Sequence, residues 1–144
     1  MPVDILRLWQ NFAESSTNIS SKPIIWNEVG CGQGEFLQVL KEFPVEVHGI
    51  EHDSALVELA KSKGIDVVQG FTETEDTVFP GGLYDVFLSF NFLEHQPDPV
   101  TMLRAIWNNL EDDAMGLITV PSFEYIMEHS SYYELIRDHI AYYT

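Results

Sequence analysis

A chain of 144 residues with 45% apolar and 21% charged residues is sized for one globular domain with a real core. Its formal net charge of −16 argues against nucleic acid or an anionic membrane as a partner, and its single cysteine, Cys31, excludes an intramolecular disulfide. No apolar run approaches the ~20 residues of a membrane span, and "MPVDILRLWQ" lacks a signal-peptide pattern, so a soluble cytoplasmic protein is expected.

In chain order, "VDILRLWQNFAE" sets Ile5, Leu6, Leu8, Trp9 and Phe12 near helical spacing and predicts an amphipathic helix, followed by a polar linker to residue 22. "IIWNEV" (Ile24–Val29) reads as a strand that runs straight into the glycine turn "GCGQG". Beyond Gly34, residues Phe36, Leu37, Leu40 and Phe43 fit one helix face, ended before Pro44. Val45–Ile50 is a second strand, and Asp53 can cap the helix "SALVELAKSKG". "IDVVQG" is a third strand. Tyr84–Phe90 is a fourth, apolar on both faces as a central parallel strand should be. Asp98 and Pro99 open another helix, whose stripe Val100, Leu103, Trp107 and Leu110 is expected in the core. "AMGLITVP" is the fifth strand.

This alternation implies an α/β fold: a Rossmann-like, doubly wound, mostly parallel sheet in three α/β/α layers. We expect one domain, with a cofactor core over residues 23–120 and a tyrosine-rich substrate or lid segment over 121–144. No sixth strand is visible. The sheet would then lack its last strands, and the bare edge invites a homodimer or a partner protein.

Glycines at the end of a first strand let a ligand approach the backbone, and the following helix start presents unpaired amides. A dinucleotide site would need Gly or Ala where this chain has Glu35, and a carboxylate there would repel a pyrophosphate. That disfavours NAD and FAD, leaving a nicotinamide-dependent dehydrogenase as a remote reading. No Lys-Ser/Thr pair follows the glycines, which excludes a P-loop. Glu51 falls at the end of strand two, about twenty residues past the first glycine, where an acid accepts hydrogen bonds from a ribose. A ribose without an adjacent pyrophosphate fits S-adenosylmethionine, whose sulfonium and amino group suit nearby acids such as Glu28. Cys31 reads as small turn filler. His48 and His52 show no further ligand spacing, and no metal is expected.

On these residues the chain resembles the class I S-adenosylmethionine-dependent methyltransferases. "EVGCGQG" matches their E/D-x-G-x-G-x-G turn, "GIEHD" their second-strand acid, and "YDVFLSFNFLEHQPDP" their fourth strand and the loop after it. The resemblance implies that Glu28, Gly30, Cys31, Gly32 and Gly34 surround the methionine and ribose portions of the cofactor. Glu51 and His52 would lie at the ribose, Gly70 and Phe71 (with Thr72) by the adenine, and Asn91 and Phe92 near the reacting end. His95 is either a group that orients substrate or a buried histidine bonded to backbone.

The tail gathers Tyr132, Tyr133, Tyr142 and Tyr143 around the pair Asp138–His139, and an imidazole there can act as a base near neutrality. A lid helix packed on the sheet edge is the plainer reading. "DHIAYYT" is similar to the E-H-[ILV]-S-Y-F segment of sugar C-methyltransferases, with Asp138 for Glu and Ala141 for Ser. Their zinc-binding amino-terminal domain and their carboxy-terminal domain have no counterpart here. That similarity implies methyl transfer to a small molecule, at carbon of a nucleotide-linked sugar, with His139 as base and Tyr142 and Asp138 beside it. The alternative is a truncated, non-catalytic cofactor-binding or interaction domain.

Overall fold

The computed structural model describes residues 23–144; the helix expected from Val3 to Glu14 lies outside them. β1 (Ile24–Val29) passes through the glycine turn into α1 (Glu35–Leu40). β2 (Val45–Glu51), α2 (Ser54–Ser62), β3 (Val67–Gln69) and β4 (Tyr84–Phe90) follow. Then come a short 3-10 turn (Leu93–His95), α3 (Pro99–Trp107), β5 (Leu110–Thr119) and α4 (Phe123–Glu128). All neighbouring strands pair in parallel, in the order β3-β2-β1-β4-β5. The chain builds outward from β1 to β3, then returns to the other side of β1. That reversal opens a crevice at the carboxyl ends of β1 and β4, where ligands of open α/β sheets bind.

Strand alternation divides the core between two faces. Trp26, Val47, Val86 and Leu88 pack with Leu37 and Leu40 of α1 and Val57 and Ala60 of α2. Val29, Ile50 and Phe87 pack with Met102 and Ile106 of α3. This is the expected three-layer sheet. Its α2 cap is also as expected, with Asp53 Oδ1 accepting from Ala55 N at 2.8 Å.

Three expectations need correction. The stripe on α3 is not core: Val100, Leu103 and Trp107 are 55%, 37% and 75% exposed, while Met102, Ala105 and Ile106 are buried. Two apolar faces of this helix have helical spacing, and the one containing Ala105 allows a closer approach to the sheet. Leu110 already belongs to β5. That strand starts earlier than "AMGLITVP", because Tyr84 pairs with Leu110 and Val86 with Met115. The extra residues between them bulge outward through Asp113, at φ 64°. Finally, the tail is α-helical only over α4, with a further 3-10 turn at Tyr132–Glu134. Ser130 turns the chain at φ 53°, and the last residues return to the strand end, with Phe123 N donating to Tyr143 O at 2.9 Å. Among the described residues β5 pairs only with β4, leaving the outer edge open.

Candidate cofactor and acceptor site

The glycine turn is built on backbone that side chains tolerate poorly. Gly30, Gly32 and Gly34 have φ of 77°, 55° and 75°, in the left-handed region. At Gly30 a Cβ would also lie 2.3 Å from Cγ of Phe92, so the Phe92 ring packs directly on the turn. Above Gly32, by contrast, there is nothing within 4 Å of a Cβ. The turn is anchored to β2 by Gly30 N and Cys31 N, both donating to Ile50 O. The Cys31 side chain is buried in the core, and desolvation raises its thiol pKa strongly. At this turn Cys31 therefore contributes backbone rather than sulfur chemistry.

Glu51 ends β2 and is buried. Its Oε2 accepts from Gly32 N at 2.9 Å; its Oε1 accepts from Asp53 N at 2.9 Å and faces His52 Nδ1 at 2.8 Å. A carboxylate has about four acceptor positions, so one remains on Oε2 for a hydroxyl donor. Gly70 N donates to Glu51 O, and exposed Phe71 stands edge-on to His52 at 6.4 Å. Thr72 next to it is buried, and its Oγ1 has no partner among the described residues. Glu51, His52, Gly70 and Phe71 are thus brought together where β2 and β3 end.

Glu28 is 2% exposed, and its Oε2 has no hydrogen-bond partner among the described residues. Burial, and then the nearby Glu35 and Glu51, raise its pKa to about 8. It is therefore mostly protonated at neutral pH, and a bound ammonium would favour its ionised form. Asn91, at φ 48°, ties β4 to β5 by donating its N–H to Thr119 O at 2.9 Å.

The second half of the site joins the loop after β4 to the tail. Glu94 is 1% exposed, and neither carboxylate oxygen has a hydrogen-bond partner among the described residues. Its backbone carbonyl accepts from Ile140 N at 2.8 Å and Ala141 N at 3.2 Å, which fixes His139 beside it. His139 Nε2 lies 3.9 Å from Glu94 Oε1, and the buried Nδ1 has no partner among the described residues. The His95 ring meets the His139 ring edge-on at 4.9 Å, while Tyr142 closes the other side at 5.6 Å.

The acid beside His139 is therefore Glu94. Asp138 is exposed and enters through its carbonyl, which accepts from His95 Nδ1 at 2.8 Å. Of the four tyrosines expected around the pair, Tyr132 and Tyr133 are exposed on the 3-10 turn before it. Glu94 is the residue that sequence reasoning missed. Its one local signal was an acid set between Leu93 and His95 just past a central strand.

Comparison with known proteins agrees with this fold. Residues 4–144 match the family model described as a methyltransferase domain. A ubiquinone biosynthesis O-methyltransferase of Pseudomonas paraeruginosa is 29% identical over 108 residues, covering 71% of this chain and 45% of that protein. The plantazolicin methyltransferase BpumL, solved with a desmethyl analogue and SAH, superposes with TM-score 0.70 at 18% identity, covering 96% of this chain and 55% of that one. SAM-bound CalS10, an amino pentose methyltransferase from Micromonospora echinaspora, superposes with TM-score 0.62 at 21% identity, covering 79% and 50%. The chain thus spans about half the length of these relatives, and the structural likenesses speak for the fold. No helix among the described residues is long and apolar enough to cross a membrane. The open space above Gly32, the remaining acceptor position on Glu51 and the Glu28 Oε2, unpartnered among the described residues, suit a nucleoside carrying an ammonium group, as S-adenosylmethionine does. With the match spanning nearly its whole length, the chain belongs to the methyltransferase-domain family, whose cofactor is S-adenosylmethionine.

Proposed function

We propose that this chain methylates a small molecule whose acceptor atom sits beside His139. The observation that carries this is the junction of the two half-sites. Phe92 packs on the cofactor turn, and Glu94, two residues further on, holds His139 through the Ile140 and Ala141 amides. When bound, S-adenosylmethionine supplies an already activated methyl group on its sulfonium. The chain must position the partners, exclude water and manage a proton. Glu51 binds the ribose, Glu28 takes the ammonium, and Asn91 and Phe92 border the reacting end. In its neutral form His139 keeps a lone pair on one ring nitrogen. It would take the proton from the acceptor, and the electron pair left there would form the new bond to methyl as the C–S bond breaks.

The similarity of "DHIAYYT" to the sugar C-methyltransferase segment supports a nucleotide-linked sugar methylated at carbon, and the likeness to CalS10, an amino pentose methyltransferase, supports a sugar acceptor alone. The proton would then leave a carbon beside a ketone, with Tyr142 next to the base. His139→Ala should lower turnover by about 100-fold or more while leaving binding of S-adenosylhomocysteine unchanged. Full turnover in that variant would remove the base.

The outer edge of β5, with Met115 and Leu117 exposed, favours a second reading. In it the chain binds cofactor but relies on a second copy or a partner protein to complete the sheet. Light scattering on the isolated chain separates the two: a soluble, active monomer rules out dependence on a partner.

A further inference from the structure

We infer that Glu94, His95 and His139 form a binding site for a divalent transition-metal ion, with Zn2+ as the best chemical match. One ligand atom from each of the three lies within 4.8 Å of the others. Ligands at about 2.0–2.2 Å from a tetrahedral ion sit roughly 3.4 Å apart. The cluster is thus a slightly expanded ligand set that a small contraction would close.

Three observations separate it from a chance grouping. Glu94 is 1% exposed, yet both carboxylate oxygens lack hydrogen-bond partners among the described residues. An acid so placed is costly unless something compensates its charge. Second, the carbonyl of Asp138 engages His95 Nδ1 at 2.8 Å, which keeps the proton on Nδ1 and leaves the Nε2 lone pair as a ligand. Metal-binding histidines are commonly fixed by such a carbonyl. Third, His139 has a buried Nδ1 without a partner among the described residues and an Nε2 only 3.9 Å from the Glu94 carboxylate.

Two imidazoles and one carboxylate suit zinc, iron or cobalt better than magnesium or calcium, and they leave positions open. On the acceptor side of the cofactor, an open position would take an oxygen of the acceptor, favouring a substrate with a hydroxyl, phenol or enolisable ketone. This last step rests on the function proposed above; cation binding does not. A bound ion would occupy Nε2 of His139 and keep the ring proton on Nδ1, so the loaded ion and the free base are alternative states of one site.

Tag-free protein without cofactor should be titrated with Co2+, followed by calorimetry and by visible d–d absorption. Saturable one-to-one binding is expected, displaced by Zn2+ and weakened at least tenfold in Glu94→Gln and in His139→Asn. No saturable binding, or variants that bind like the parent, would overturn the inference. Affinity for S-adenosylhomocysteine on the same samples reports folding; should Glu94→Gln fail to fold, His95→Gln on the less buried side supplies the comparison. If S-adenosylhomocysteine binds and Co2+ does not, only the metal site is lost. If Co2+ binds and S-adenosylhomocysteine does not, the methyltransferase reading falls and the metal site stands. With a chelator, survival of turnover favours His139 as a free base and counts against the ion; its loss, restored by Zn2+, supports the ion.

Discussion

Glu51 and Glu94 are both acids buried just where a central strand ends, but their surroundings are opposite. Glu51 is met by two backbone amides and a histidine, and keeps one acceptor position for a ligand. The Glu94 carboxylate is met by no hydrogen-bond donor among the described residues. The first acid is organised before anything binds, so on the reading proposed above a ribose would meet a partner already oriented. The second, like Glu28, leaves polar atoms unmatched. Such groups reduce stability and persist where a ligand can match them. The cofactor turn is therefore rigid by construction, whereas the acceptor side and the Glu28 corner hold reserve capacity for charge.

The largest test of this contrast is at Glu28. Its folded pKa, raised from 4.5 to about 8, means the native state holds a proton that the unfolded chain has released. That contribution to stability is fully retained below pH 4.5, falls as pH rises, and is lost above about 8. A shift of this size corresponds to at most about 5 kcal/mol between the two ends of the window. In Glu28→Gln that part of the pH dependence should vanish, as measured by urea unfolding at pH 5 and pH 9; an unchanged slope would place the titration elsewhere.

Next in size, Glu51→Ala removes the acceptor that orients Gly32 and, as proposed, the ribose. Calorimetry should show S-adenosylhomocysteine binding weakened by about 100-fold, or roughly 3 kcal/mol. Equal affinity would break the claim that this half is organised by Glu51. The smallest effect is expected at Glu94→Leu. Removing an unmatched buried carboxyl should raise stability by about 1–3 kcal/mol in thermal or urea unfolding, and turnover should disappear. A destabilised variant would show that Glu94 is matched in the native protein after all.

The two halves also differ in how much the sequence reveals. The glycine turn, the acid ending β2 and the Asp53 cap are read from neighbours along the chain, because strand, turn and helix start follow one another there. Glu94 and His139 are far apart in sequence, and only the return of the tail to the β4 loop joins them. Composition and spacing favoured Asp138, the adjacent acid, over the distant one. On α3 the sequence offered two apolar faces, Val100–Leu103–Trp107 and Met102–Ala105–Ile106, and periodicity cannot choose between them. Packing on the sheet decides, burying the second. The β5 boundary was missed for a related reason: the polar run Glu111–Asp113 reads as a loop, but a bulge lets it continue the strand.

The paired amides of Ile140 and Ala141 on a single carbonyl have one more consequence. The clasp ties this segment to the loop after β4, apart from β1, β2 and their turn, so the two parts can diversify separately. On the function proposed above, exchanging the dozen or so residues around His139 should redirect the chemistry toward another acceptor while the glycine turn stays as it is.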